Sequence, residues 1–155
     1  RRKDFVIVMV GEGKEGARIK AEVAEDPFLK SHILFAGFRP RDVCLDLRRA
    51  SHVSLCLMGG FSLIEACAAG QPVVSYDVEW HSELVKNGET GLLIKEHDIG
   101  SATEALDWLL KHPIESETMG QKARKMAFEH HDLINTSAIK VRWYSELLER
   151  KGSDV

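Results

Sequence analysis

Apolar positions along the chain gather in short unbroken runs separated by mixed stretches. The first run, "FVIVMV" from Phe5 to Val10, has no polar alternation and is rich in β-branched residues. That is the pattern of a strand covered on both faces. "GEG" at 11–13 turns the chain, and the mixed stretch 14–24 predicts a short charged helix. Pro27 interrupts it, and "HILFAGF" supplies a second buried strand. "RPRDVCLDLRRA" reads as a helix with Pro40 near its first turn and Val43, Leu45 and Leu47 as its apolar positions. "HVSLCLM", "PVVSYD" and "GLLI" predict three more strands. "HSELVKNG" predicts a short helix stopped by Asn87 and Gly88. From Asp98 the pattern turns helical in three segments, "DIGSATEALDWLLK", "ESETMGQKARKMAFEHH" and "LINTSAIKVRWYSELLERK".

Alternating strands and helices imply an α/β fold: a Rossmann-like, doubly wound parallel sheet with right-handed crossovers and helices on both faces. Such sheets bind ligands at the carboxyl ends of their strands, often at helix N-termini. Function is therefore expected in the loops 11–13, 37–41, 57–62 and 77–82. No repeat, low-complexity tract or linker divides the chain, so residues 1–155 read as a single domain.

Composition narrows the classes. The 155 residues can bury a core, and a net charge of −3 without a block of Lys and Arg argues against a nucleic-acid surface. "RRK" at 1–3 reads as a solvated end. Cys44, Cys56 and Cys67 are too widely spaced for a zinc motif and sit among apolar residues, so three buried free thiols are expected. No membrane span or signal peptide is visible and the compartment expected is cytoplasmic. The chain opens without Met and enters a strand almost at once, which reads as the interior of a larger protein.

The stretch with the most chemistry is "MGGFSLIEACAAGQPVVSYD". It leaves a strand and opens a helix whose first amides and dipole favour an anion such as phosphate. Gly59 and Gly60 leave room for a ligand to touch the backbone. The spacing of Ser62 and Glu65 also fits a capping box, S-x-x-E, so both readings stand on spacing.

At these residues the chain resembles a family. "GGFSLIEACAAGQPVVSYDVEWHSELVKNGETGLLI" is similar to the donor half of GT-B glycosyltransferases of the family-4 type, with "LxEAxAxGxPVV", "ELV" and "xGxTGLL" in order. "VMVGEG" and "ILFAGF" match the earlier strands, and the resemblance covers roughly residues 5–111. It implies the C-terminal half of a GT-B enzyme, binding a nucleotide diphosphate sugar and transferring the glycosyl group to an acceptor held by a missing N-terminal domain. By that resemblance Glu65 holds the ribose hydroxyls. Backbone amides of Phe61, Ser62 and Leu63, after Gly60, hold the distal phosphate and sugar. Gly37, Phe38 and Arg39 lie against the nucleobase, and Gly11 and Glu12 lie near the donor. No metal or other cofactor is implied, and the fragment alone is expected to be inactive.

Two departures stand out. The family's second glutamate, eight residues before the first, falls here on Leu57. The family also begins with a further strand and helix carrying an Arg and a Lys for the diphosphate, and this sequence opens after that point. The flanking strands would then pair directly, or with a second copy, making a homo-oligomer a candidate assembly. Competing readings are a catalytically inactive or regulatory nucleotide-sugar-binding domain, a GT-B epimerase or phosphorylase relative, and a flavodoxin-like module.

The remaining candidates carry less. His81 and Trp80 face the same rim, with His81 read as a surface or capping residue, and Asp77 ends a strand there. His130 and His131 sit at a helix end. "NGETG" reads as structural. Trp108, Trp143 and Tyr144 read as core or interdomain packing.

Overall fold

The structure is a computed structural model that describes residues 2–152. Arg1 of the N-terminal basic cluster lies outside the described residues, and Arg2 pairs with Asp4 at 2.7 Å. The chain groups into two compact units, Arg1–Asp46 and Leu47–Val155.

The first unit runs β1 (Ile7–Val10), α1 (Gly16–Glu25), α2 (Pro27–His32), β2 (Ile33–Gly37). β1 and β2 pair in parallel, Ile7 opposite Ile33, with an irregularity after Met9 that sets Val10 opposite Gly37. Pro27 starts a helix rather than merely ending one. Asp26 caps α2 by accepting from the amides of Phe28 at 2.7 Å and Leu29 at 3.2 Å, with Pro27 at the first helical position where no donor is needed.

β1 corrects an expectation. Its residues are exposed along the whole strand, although the sequence reads as covered on both faces. The helices of this unit pack chiefly on one another and on β2, and Val23 is its one buried apolar residue among those described. An uninterrupted apolar run reports what a strand can bury, and the packing around it decides what it does bury.

α3 (Arg41–Ala50) leads into the second unit: β3 (Ser54–Leu55), α4 (Phe61–Ala69), β4 (Val73–Tyr76), α5 (His81–Leu84), β5 (Gly91–Ile94), α6 (Ile99–Lys111), α7 (Pro113–His131) and α8 (Leu133–Gly152). β3, β4 and β5 form a parallel sheet in that order, Ser54 opposite Val73 and Val73 opposite Gly91. β1 and β2 form a separate sheet, so direct pairing of β1 with β3 does not occur among the described residues.

Adjacent residues of β4 point to opposite faces. Val73 joins a core layer with Cys56, Leu63, Ala66, Cys67, Leu84 and Ala123, which come largely from α4, α5 and α7. Val74 joins another with Ile94, Ala105, Leu109 and Met119, from β5, α6 and α7. Helices therefore cover both faces of this sheet, as the alternation implies.

Three further expectations meet the structure here. Cys56 and Cys67 are buried free thiols, but Cys44 is only half-buried. Burial pushes the Cys67 thiol up to about 12, with Cys56 beside it adding to the effect. Trp143 and Tyr144 are exposed on α8 and are not core among the described residues, because α8 packs chiefly on α7. "NGETG" is structural: Asn87 Oδ1 accepts from the Leu93 amide at 3.0 Å, and Thr90 Oγ1 accepts from the Lys86 amide at 2.7 Å. No helix among the described residues is long and apolar enough to cross a membrane.

Candidate functional site

The sequence candidates fall in both units, and each group is built locally. In the first unit the loops after β1 and β2 meet: the Gly11 amide donates to Gly37 O at 2.8 Å. Both glycines have positive φ, 113° and 65°, and Glu12 Oε1 lies beside Gly37. Phe38 is 78% exposed, and Arg39 turns its guanidinium back to Phe38 O at 3.2 Å. Gly11, Glu12, Gly37, Phe38 and Arg39 thus gather at the carboxyl ends of two parallel strands.

In the second unit β3 runs into the glycine turn and then α4. Gly60 is the N-cap, with φ 76° and no side chain bonding to the first turn. This corrects the capping-box reading. Ser62 is the second helical residue rather than the cap, because the glycine pair lets the helix begin earlier than the S-x-x-E spacing suggests. Its hydroxyl accepts instead from Arg48 Nη2 at 3.2 Å. The Leu63 amide donates to Gly60 O at 3.2 Å, so Phe61 and Ser62 offer the outermost amides. Glu65, on the second turn, is half-buried and already engaged by a neighbour. Phe61 itself is 81% exposed beside the turn.

Leu57, where the resemblance implies a carboxylate, is partly buried and packs against the core layer of Val74, Ile94, Ala105, Leu109 and Met119. An apolar side chain suits that place, and an ionised one there would be desolvated.

Two residues matter more than their sequence signals suggest. His81 is 1% exposed, not at the surface. Its Nδ1 lies 2.9 Å from both Tyr76 O and Ser75 Oγ, and Ser75 Oγ donates to Cys56 O at 2.8 Å. A carbonyl only accepts, so Nδ1 carries the hydrogen. Nε2 is buried, has no partner, and faces Gly59, where a Cβ would collide with it. The second is Arg48, which no motif marks. Its side chain lies along Cys56 and Ser62 at the mouth of α4. A histidine after a strand and an arginine late in a helix are common, and only their packing sets these two apart.

His130 and His131 end α7, and His131 is held below the usual imidazole range by burial and by His130. No group of three or more metal-ligating side chains occurs among the described residues.

Comparison with known proteins bears on this arrangement. The family model for glycosyl transferases group 1 matches residues 1–126. A D-inositol 3-phosphate glycosyltransferase from Gordonia bronchialis is 42% identical over 118 residues, covering 74% of this chain and 26% of that relative. Among solved structures, a sucrose-phosphate synthase from Thermosynechococcus elongatus superposes with a TM-score of 0.80 at 23% identity, over 92% of this chain and 38% of that one. The Anabaena protein HepE, solved in complex with UDP-glucose, gives 0.77 at 19% identity, over 90% of this chain and 41% of that one. The chain therefore spans well under half the length of each of these proteins.

Proposed function

The chain belongs to the group 1 glycosyl transferases, and from that premise we propose that it is the donor-binding domain of a GT-B enzyme, holding a nucleotide diphosphate sugar. The observation that carries this reading is the uncapped start of α4, entered through Gly59 and Gly60, with Glu65 one turn further on. First-turn amides and the helix dipole suit a phosphate, and a carboxylate suits a ribose diol, which donates two hydrogens to it. Taken by themselves, the first unit's loops of Gly11, Gly37, Phe38 and Arg39 suit contact with a nucleobase. The HepE complex with UDP-glucose supports a donor of this class.

In the whole protein, an oxygen of the acceptor forms a bond to the anomeric carbon. The bond from that carbon to the phosphate oxygen breaks, and the nucleoside diphosphate leaves with the electron pair. The proton of the acceptor hydroxyl passes to an oxygen of the departing diphosphate. Amides at α4 meet the charge that develops on the leaving group, so positioning and electrostatics do most of the work. The acceptor is assigned to a separate N-terminal domain, and this chain by itself is assigned binding without transfer. The packing of Leu57 favours a second reading, a domain that binds the nucleotide sugar without catalysis even in the whole protein.

Calorimetric titration of UDP, GDP, ADP and their sugars tests the main reading. One diphosphate binds saturably, and Glu65→Gln weakens it about 10-fold or more while leaving the fold intact. Unchanged binding with a lowered melting temperature makes Glu65 a structural residue only.

A further inference from the structure

Arg48 reaches the start of α4 with its guanidinium. Nη2 donates to Ser62 Oγ at 3.2 Å and Nη1 to Cys56 Sγ at 3.5 Å, while Nε is buried without an acceptor. Among the described residues no carboxylate pairs with it; a hydroxyl and a thiol are its only side-chain acceptors. A permanent cation is thus laid beside the positive end of a helix dipole. A negative charge at the same mouth would relieve the repulsion between the two.

An independent group with an unmet bond lies at the same turn. His81 Nε2 is buried, unpartnered and directed at Gly59, the residue before the N-cap. Its ring is fixed by the Nδ1 bonds to Tyr76 O and Ser75 Oγ, so it does not turn to satisfy itself elsewhere. The guanidinium and the first amides of α4 both take an anion, and the phosphate of a sugar nucleotide is one.

We propose that Arg48 is a binding residue for the phosphate that carries the transferred sugar, pairing with it across the first turn of α4 while His81 holds the glycine turn in place. The proposal rests on the donor reading above and adds a cation to it. Arg48 brings a planar fork that fits phosphate oxygens in pairs.

The test titrates inorganic pyrophosphate into the chain and its Arg48→Met and Arg48→Lys variants by calorimetry. Arg48→Met is expected to bind pyrophosphate about 10-fold or more weakly, with a shallower dependence on salt because one cation has gone. Arg48→Lys is expected to recover part of the loss, since the charge remains and the fork does not. Pyrophosphate affinity equal to wild type in Arg48→Met overturns the proposal. Should that variant melt early, Arg48→Lys decides: full wild-type affinity and salt dependence there overturn the paired-fork role. If the wild type binds a nucleoside diphosphate and Arg48→Met binds it equally well, this inference fails while the donor reading stands. If pyrophosphate binds through Arg48 and no nucleotide or nucleotide sugar does, the donor reading fails and the anion site stands. A wild type that takes neither overturns both.

Discussion

His81 and Gly59 form a contact in which each fixes the other. The imidazole is pinned at Nδ1 by Tyr76 O and Ser75 Oγ, and its Nε2 edge rests where a side chain on Gly59 would have to go. Gly59→Ala therefore forces the turn or the ring to move and costs about 1–3 kcal/mol. A second substitution, His81→Ala, is expected to return part of that loss in the double variant. Urea denaturation of the four proteins measures the coupling, and strictly additive losses argue against the contact. The cysteines give a second residue-level prediction. Burial holds the thiols of Cys56 and Cys67 above their usual range, whereas Cys44 is half-buried. Thiolate is the reactive form, so a maleimide should label Cys44 first in the native protein, and Cys56 and Cys67 only once denaturant opens the core.

Among the elements, α4 does two jobs with opposite faces. Leu63, Ala66 and Cys67 are fully buried against β4 and α7, while Phe61 and Ser62 stay at the open mouth. Leu63→Ala is expected to cost about 2–5 kcal/mol by chemical denaturation. Ser62→Ala removes only a hydroxyl that accepts from Arg48, and should leave stability nearly unchanged. α6 begins in the more usual way. Asp98 accepts from the Ser101 amide at 3.0 Å and the Ser101 hydroxyl at 2.7 Å, and these bonds hold its carboxyl below the usual carboxylate range. A folded-state value below the unfolded one stabilises the fold above the ordinary carboxylate range, and that contribution is lost as pH falls through the folded value. Asp98→Ala should lower the urea midpoint at pH 7, and its gap to wild type should close as the pH is taken below about 4. A gap that persists in acid would show that the cap acts through packing rather than through charge.

At the scale of the molecule, burial is divided very unevenly. Two core layers cover the faces of β3–β4–β5, whereas the first unit buries Val23 alone among its described apolar residues. Local opening costs least where few apolar contacts are lost. Hydrogen exchange should therefore protect β4, α4 and the middle of α7 most strongly, with β1 and β2 exchanging much sooner. Equal protection of the two sheets would show that β1 is covered in solution. The exposed apolar positions of α8, Trp143 and Tyr144 among them, belong to the same uneven pattern.

The sequence by itself determined the order of strands and helices, the parallel α/β class and the loops that leave the carboxyl ends of the strands. These depend on local periodicity, on Gly and Pro punctuation, and on a run of family motifs from Gly59 to Ile94. Even the start of α4 was legible to within two residues, since a glycine pair and a serine both suit a helix entrance. What only the tertiary structure decided is who meets whom across the chain. Arg48 reaches Ser62 from another helix, and His81 folds beneath the turn of Gly59. Leu57 packs where the resemblance implied a carboxylate, and β1 stays exposed although its residues suit a buried strand. Such outcomes depend on which faces pack together, and no residue's own preference encodes that: the same histidine or apolar run is stable buried or exposed, according to the partners the fold supplies.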